Sequence, residues 1–294
     1  MSATRTGRGR SARSLETVEA AYEILEAVEP ASVRAVCYQL FTRKVIPSMA
    51  KNETNRISRL LREAREAGDI PWSWIVDETR EPERISAWEN PAKFIEAVRR
   101  SYRRDRWTDQ PYRVEVWSEK GTIRGTLAPV LDEFGVTFRV MHGYGSATAV
   151  YDAAQESIAD GRVLIAFYLG DWDPSGLAMS YVDLPERISR YGGAVSLQRV
   201  AIEASDTTPA LPWFPAADKR KDPRYAWFAE NFGAKCWELD ALNPVTLRER
   251  VATALRATLD LDAWARADVV ERAEQESLTS ILDAWPSISR QASE

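Results

Sequence analysis

Val163–Gly176 reads VLIAFYLGDWDPSG. Its apolar run is rich in β-branched and aromatic residues and is bounded by turn residues, so it predicts a strand rather than a helix. With no polar alternation, both faces of that strand must be covered, which is the habit of a parallel sheet between helices. The run ends in Asp171 and Asp173, which point the same way in an extended chain. Pro174 and Gly176 then turn the chain away. On its own, Asp-Trp-Asp-Pro-Ser-Gly also suits a plain turn. The flanking sequence is what gives the two charges a purpose.

From Pro111 onward the chain alternates strand and helix. YRVEVW alternates as a strand, GTIRGTLAPVLDEFG is helical with a Gly end, and VTFRVMH is a strand. SATAVYDAAQESIADG is a helix and VLIAFYLG the central strand; SGLAMSYVDLPERISRYGG is helical and AVSLQRVAI a strand. This rhythm predicts an α/β, Rossmann-like parallel sheet over 111–294, ending in C-terminal helices. Thr207 to Pro223 is a Pro-rich irregular excursion.

The front of the chain differs. Residues 1–13 form a basic tail carrying Arg5, Arg8, Arg10 and Arg13, and 14–110 hold three helices, a short strand and a connector helix. Ser14 is the expected N-cap of the first helix, with Leu15, Val18, Tyr22, Leu25 and Val28 facing inward. Ser32 opens the second helix, whose stripe is Val33, Val36, Cys37, Leu40 and Phe41. The third runs from about Asn52 to Ala67, with Ile57, Leu60, Leu61 and Ala64 inward and Gly68 as its stop. It carries Arg56, Arg59, Arg62 and Arg65, and IPWSWIVDET follows as an alternating strand. Helix, helix, helix, strand, with arginines on the third helix, is the order of a winged helix that contacts DNA. The connector helix runs from Pro91 to about Arg104. Its RRSYRRDRW run mixes cations and aromatics, as nucleic-acid surfaces do.

Composition narrows the chemistry. A single histidine, His142, makes a Ser-His-Asp triad or a multi-histidine zinc site improbable. Two distant cysteines, Cys37 and Cys236, leave no disulfide framework and fit a reducing, cytoplasmic setting. No apolar run is long enough for a membrane span. The net charge is −5, but it is divided: residues 1–112 hold 20 Lys+Arg against 17 Asp+Glu, and the rest hold 19 against 27. That split suits a DNA-contacting module joined to a carboxylate-rich one.

In open α/β sheets, ligands bind beyond the carboxyl ends of the strands. Glu119 follows the strand Arg113–Trp117, and Asp171 and Asp173 follow Val163–Leu169. Three gathered carboxylates are favourable with a divalent cation between them, and an oxygen-only donor set selects Mg²⁺ or a similar hard ion. Glu238 and Asp240 stay outside that metal set.

EVWSEKG (115–121), HGYG (142–145) and LGDWDPSG (169–176), in that order, resemble the Toprim domain, and more narrowly its version in the topoisomerase VI A-subunit and meiotic double-strand-break transesterase family. RAVCY (34–38) is similar to that family's arginine-to-tyrosine motif in its winged helix. VSLQRVAIE and CWELDALNPVTLRERV look like its C-terminal region. The resemblance covers nearly the whole chain from about residue 14. Cys37 stands where an aromatic is usual and Ser175 where a tyrosine is common, and the Pro-Asp and Thr-Arg expected after Gly-x-Gly are missing. The chain is also short, closer to stand-alone A-subunit homologues.

The resemblance implies that Tyr38 attacks a DNA phosphate and stays linked to the 5′ end. Glu119, Asp171 and Asp173 would hold Mg²⁺, Arg34 would contact the phosphate, and Lys120 is a further candidate for that task. It implies a homodimer on double-stranded DNA, with the tyrosine of one copy serving the acids of the other. GTIRGT lacks a P-loop ending, so strand passage would need a separate ATPase (B-type) subunit. Two other readings fit the residues: a Toprim hydrolytic nuclease in which Tyr38 only caps the core stripe, and a non-catalytic winged-helix DNA-binding protein.

Overall fold

The structure is a computed structural model that describes residues 11–76, 87–141 and 147–291. Most of the basic tail, residues 77–86, and the HGYG segment with His142 lie outside the described residues.

Helix α1 spans Ala12–Val28 and begins earlier than Ser14, because the Ser11 side chain accepts from the Ser14 N–H and is the cap. Its buried face is Thr17, Val18, Ala21, Ile24, Leu25 and Val28. Leu15 (52% exposed) and Tyr22 (37%) are therefore not core residues, and Tyr22 instead lies against the Trp74 ring. Strand β1 is Ala31–Ser32, and Ser32 caps α2, Val33–Thr42. Helix α3, Lys51–Ala67, buries Ile57, Leu60, Leu61 and Ala64 and stops at Gly68, whose φ of +81° is the left-handed turn that glycine adopts freely. Within the strand expected over IPWSWIVDET, Trp72–Trp74 coil into a 3₁₀ turn and Ile75–Val76 form β2, while its last three residues lie outside the described residues. β1 and β2 pair in parallel. The three helices share one core with Ile24, Val36, Leu40, Ile57 and Leu61 at its centre, each contributing roughly 1.5–3 kcal/mol by leaving water.

Helix α4, Pro91–Ser101, ends sooner than Arg104 because Tyr102 is extended. The cations beyond it are not all free for nucleic acid. Arg104 pairs with Glu274 and Arg106 with Glu271 at 2.7 Å each, and the Tyr102 hydroxyl donates to Glu274.

The second part is a parallel sheet. Its elements are β3 Arg113–Ser118, α5 Ile123–Phe134, β4 Thr137–Val140, α6 Ala147–Asp160, β5 Leu164–Leu169, α7 Pro174–Ala178, α8 Leu184–Arg190 and β6 Val195–Ala201. There follow β7 Phe214–Pro215, α9 Tyr225–Phe232, β8 Lys235–Cys236, α10 Pro244–Arg256 and α11 Leu261–Gln291. The sheet order is β4-β3-β5-β6, all parallel. Every side chain of β5 is buried, as its composition requires. Val114, Val116, Ile165 and Phe167 pack under α5 and α10, while Trp117, Ala166 and Tyr168 pack under α6 and α8. Covering both faces has one consequence for YRVEVW. Its polar member Glu115 is fully buried, and Arg113, Arg139 and the Trp117 indole N–H neutralise it there. No helix among the described residues is long and apolar enough to cross a membrane.

Candidate functional site

The strand order places β4 on one side of β3 and β5 then β6 on the other, so the order reverses between β3 and β5. That reversal opens a crevice at the carboxyl ends. Glu119 leaves β3 there, and Asp171 and Asp173 leave β5. Asp173 is buried and caps α7: its Oδ1 accepts from the Gly176 N–H at 2.7 Å, and its Oδ2 lies 3.1 Å from Lys219 Nζ. Asp171 Oδ1 accepts from the Leu239 N–H at 2.8 Å and from Lys120 Nζ at 2.9 Å. The loop folds back so tightly that a Cβ on Gly176 would stand 2.3 Å from the Asp171 carbonyl oxygen, so only glycine fits.

The two aspartates are not delivered by an extended chain alone. Between them, Trp172 exchanges two backbone hydrogen bonds with Trp237, and this brings residues 238–241 to the crevice. Sequence reasoning set Glu238 and Asp240 aside, and both belong to the site. Buried Asp240 accepts from the Ser32 hydroxyl at 3.0 Å and from Lys120 Nζ at 2.9 Å. Glu238 receives the Arg34 guanidinium on both carboxylate oxygens. Its charge also bears on the Tyr38 phenol. Their only sequence signal is the WELDAL pattern of two acids flanking apolar residues, and nothing local joins it to Asp171.

Helix α2 is therefore docked by its own polar residues. Ser32 caps it and meets Asp240, Arg34 meets Glu238, and Tyr38 follows one turn later with the Arg34 guanidinium 5.7 Å from its ring centre. Tyr38 is 5% exposed. Burial pushes its phenol well above the usual range, with the Glu238 charge adding to the effect and Arg34 opposing it. Lys120 behaves in the opposite sense to its burial. Desolvation disfavours its charge, but Asp171 and Asp240 more than offset this and hold it protonated. It is enclosed between two acids rather than presented to a phosphate.

A cleft of about 640 Å³ runs along this array. Lys120, Asp171 and Asp240 line one wall, and Ser58, Arg62 and Arg65 of α3 line the other. Of the α3 arginines, Arg56 is held by Glu53, while Arg59 and Arg62 make only loose contacts of 3.9 and 3.7 Å with Glu63 and Glu66. Arg65 stacks 4.2 Å over Trp72.

Arg199 on β6 fixes the acid loop from behind. Its guanidinium donates to the carbonyls of Gly170, Asp171, Gly176 and Ile202 and to the Ser180 hydroxyl. Burial pushes its pKa below the usual arginine range.

The donor chemistry at the crevice is oxygen-only and suits a hard divalent cation. In the present arrangement the cations that the aspartates meet are ammonium groups: enclosed Lys120 on Asp171, and Lys219, whose side chain is 43% exposed, on Asp173. Among the described residues no group of three His, Cys, Asp or Glu side chains stands close enough to hold a metal ion as placed. Glu119 is the carboxylate that feels the crowding. Burial raises its pKa first, and the charges of Asp171 and Asp173 raise it further.

A raised carboxyl favours the fold while protonated, and that contribution is lost as pH climbs from the ordinary carboxyl range through the raised value. Above it, ionised Glu119 opposes folding. Glu119→Gln is accordingly expected to raise the melting temperature of the cation-free protein at pH 8, by about 2 °C, and to remove any stabilisation by added Mg²⁺. Thermal unfolding at pH 5 and pH 8, with EDTA or Mg²⁺, checks both points.

The fold and the crevice define an α/β protein with a carboxylate- and lysine-lined site at its strand ends, to which a helical module brings a tyrosine. No family model, curated protein or solved structure matches the chain.

Proposed function

We propose that this protein is a Mg²⁺-dependent DNA-cleaving enzyme acting by tyrosyl transesterification, in the manner of the topoisomerase VI A-subunit family. The observation that carries the proposal is the array of Arg34, Glu238, Lys120, Asp171 and Asp240 along one cleft, with the buried Tyr38 ring beside Arg34 one helical turn on. The helix–strand–helix–helix–strand order of residues 12–76 supports a winged helix that faces DNA with α3.

The chemistry follows from the partners. A phenol with a raised pKa is a weak nucleophile until a base takes its proton. Glu238, whose charge bears on the phenol, would serve as that base. Tyr38 Oη forms a bond to phosphorus, the bond to the 3′ oxygen breaks, and that oxygen leaves and takes up a proton. The product is a 5′-phosphotyrosyl end and a free 3′ hydroxyl. Arg34 lies between Glu238 and the tyrosine ring, where it can meet the developing charge. Glu119, Asp171 and Asp173 would hold Mg²⁺ once the exposed arm of Lys219 gives up Asp173, and the ion would supply electrostatic stabilisation of the phosphate.

Two copies, each acting on one strand, would give a double-strand cut. The Tyr38 ring lies by Arg34, which holds Glu238 of the same chain, and this supports a protomer that carries nucleophile and acids together. Resealing coupled to strand passage would require a separate ATPase subunit. The setting is cytoplasmic, with both cysteines reduced and buried.

The burial of Tyr38 favours one rival, in which the same acids serve a hydrolytic nuclease. Labelled DNA, incubated with Mg²⁺ and run on denaturing gels with and without protease, separates them. Tyr38→Phe is expected to abolish protein-linked 5′ ends and to lower cleavage by roughly 10³-fold or more, as loss of a nucleophile does. Undiminished cleavage with free ends would establish hydrolysis. Metal-dependent cleavage that vanishes in Asp171→Ala would exclude a purely DNA-binding role.

A further inference from the structure

A second groove, of about 480 Å³, lies beside the site and is not used by the chemistry above. Phe41, Lys44 and Ile46 from the end of α2 line one side, and Pro209, Pro212 and Trp213 of the Pro-rich segment line the other. Trp213 is 43% exposed, although large aromatics are usually enclosed. Lys235 Nζ sits 4.3 Å from its ring centre.

The groove is built rather than incidental. The residue after Trp213, Phe214, pairs across β7–β8 with Cys236, and Pro215 pairs with Lys235, so indole and ammonium are set by one ladder. The Trp237 indole N–H donates to the Leu211 carbonyl at 3.2 Å and ties down the start of the segment. Prolines at 209, 212 and 215 limit the backbone further. Each wall is joined through the chain to residues of the candidate active site. Phe41 follows Tyr38 on α2, and the Phe214 ring lies 5.9 Å from Lys219 Nζ, which pairs with Asp173.

A rigid aromatic in an apolar groove, flanked by Lys44 and Lys235, has the chemistry of a base-stacking platform with phosphate contacts beside it. Bases inside an intact duplex do not offer a face to such a ring. We infer that this groove holds one unpaired nucleobase on Trp213, with its flanking phosphates on Lys44 and Lys235, next to the scissile phosphate. The inference rests on the DNA-cleaving reading for its placement, and it sharpens the substrate to DNA with an unpaired or extruded nucleotide at the cut.

Binding can be measured without cleavage, by fluorescence anisotropy of labelled single-stranded and duplex oligonucleotides of one sequence, in EDTA. Trp213→Ala is expected to weaken single-strand binding about 10-fold or more, the usual loss for one stacked base, and to leave duplex binding within about 2-fold. Trp213→Phe should retain most of the single-strand affinity, which separates lost stacking from lost folding. Single-strand binding unchanged in Trp213→Ala, equal losses on both DNAs, or no single-strand binding by the unmodified protein would overturn the inference. Cleavage of DNA with Mg²⁺ is scored separately. A Trp213-dependent single-strand affinity without cleavage would keep the groove and remove the enzyme, and cleavage indifferent to Trp213 would do the reverse.

Discussion

Lys120→Met is expected to destabilise the protein by about 3–5 kcal/mol, because removing one partner leaves buried charges uncompensated. Lys120 Nζ is the shared partner of Asp171 and Asp240, each 2.9 Å away. A methionine of similar length fills the space but returns no charge, so packing loss contributes little. The sign of the pH effect follows from the same geometry. Lys120 is held protonated well above the usual lysine range, so its stabilisation is complete below that range and lost only in strong alkali. Across pH 6–9 the unmodified protein should therefore show no titration from this group. In the variant, buried Asp171 lacks the cation that opposes its raised pKa and favours the proton on folding, so the deficit should shrink as pH falls from 8 to 5. Urea unfolding across that range measures both. Adding Asp240→Asn should recover part of the loss; a deficit that stays constant with pH would show that packing, not charge, is at stake.

Arg199→Met is the second large effect, expected at about 3 kcal/mol. The Gly170 and Gly176 carbonyls keep the Ile202 N–H and the Ser180 hydroxyl, while those of Asp171 and Ile202 lose the guanidinium, at roughly 1–3 kcal/mol each. The guanidinium serves four carbonyls and one hydroxyl, and two of those carbonyls belong to Asp171 and Gly176. Arg199 is thus a positioning residue: it touches no substrate atom and sets the path of the loop that carries the acids. Arg199→Lys offers three donors in place of five and should recover stability only in part. The readout that a simple packing role would not move is the response to Mg²⁺. In Arg199→Lys the Mg²⁺-induced rise in melting temperature should need higher ion concentration, whereas a distant core substitution of equal cost should leave that concentration unchanged.

The acids that sequence could place are those tied to a strand end. Glu119, Asp171 and Asp173 each leave a strand whose composition declares it, so strand order alone brings them to one crevice, though not close enough to hold a metal ion as placed. Glu238 and Asp240 were not legible, because their position depends on the Trp172–Trp237 bridge, a pairing across 65 residues with no local periodicity. Lys219 arrives from the irregular Pro-rich segment, where neither period applies. Alternation misled in two places for one reason, that it reports polarity and not solvent. Glu115 reads as an outward residue of YRVEVW yet is buried among arginines, and Tyr22 reads as core yet lies at the surface on Trp74. The third-helix arginines were legible as a row; their degree of engagement with neighbouring glutamates was not.

Arg199 and Arg248 spend most of their donors on backbone carbonyls far apart in sequence. Arg199 has been described; Arg248 on α10 donates to the carbonyls of Val28, Glu29, Pro30 and Thr126, and so ties the α1–α2 connection and α5 to the C-terminal part. A carbonyl is the same in every residue. The positions these arginines hold are therefore largely free to change their side chains without loosening the site, Asp171 and Gly176 excepted, while the arginines themselves are not. Mutational tolerance should accordingly be very uneven here: broad along the clasped loops, and narrow at two single positions far from the tyrosine in sequence. Part of the crevice's geometry is thus entrusted to residues that carry none of its chemistry.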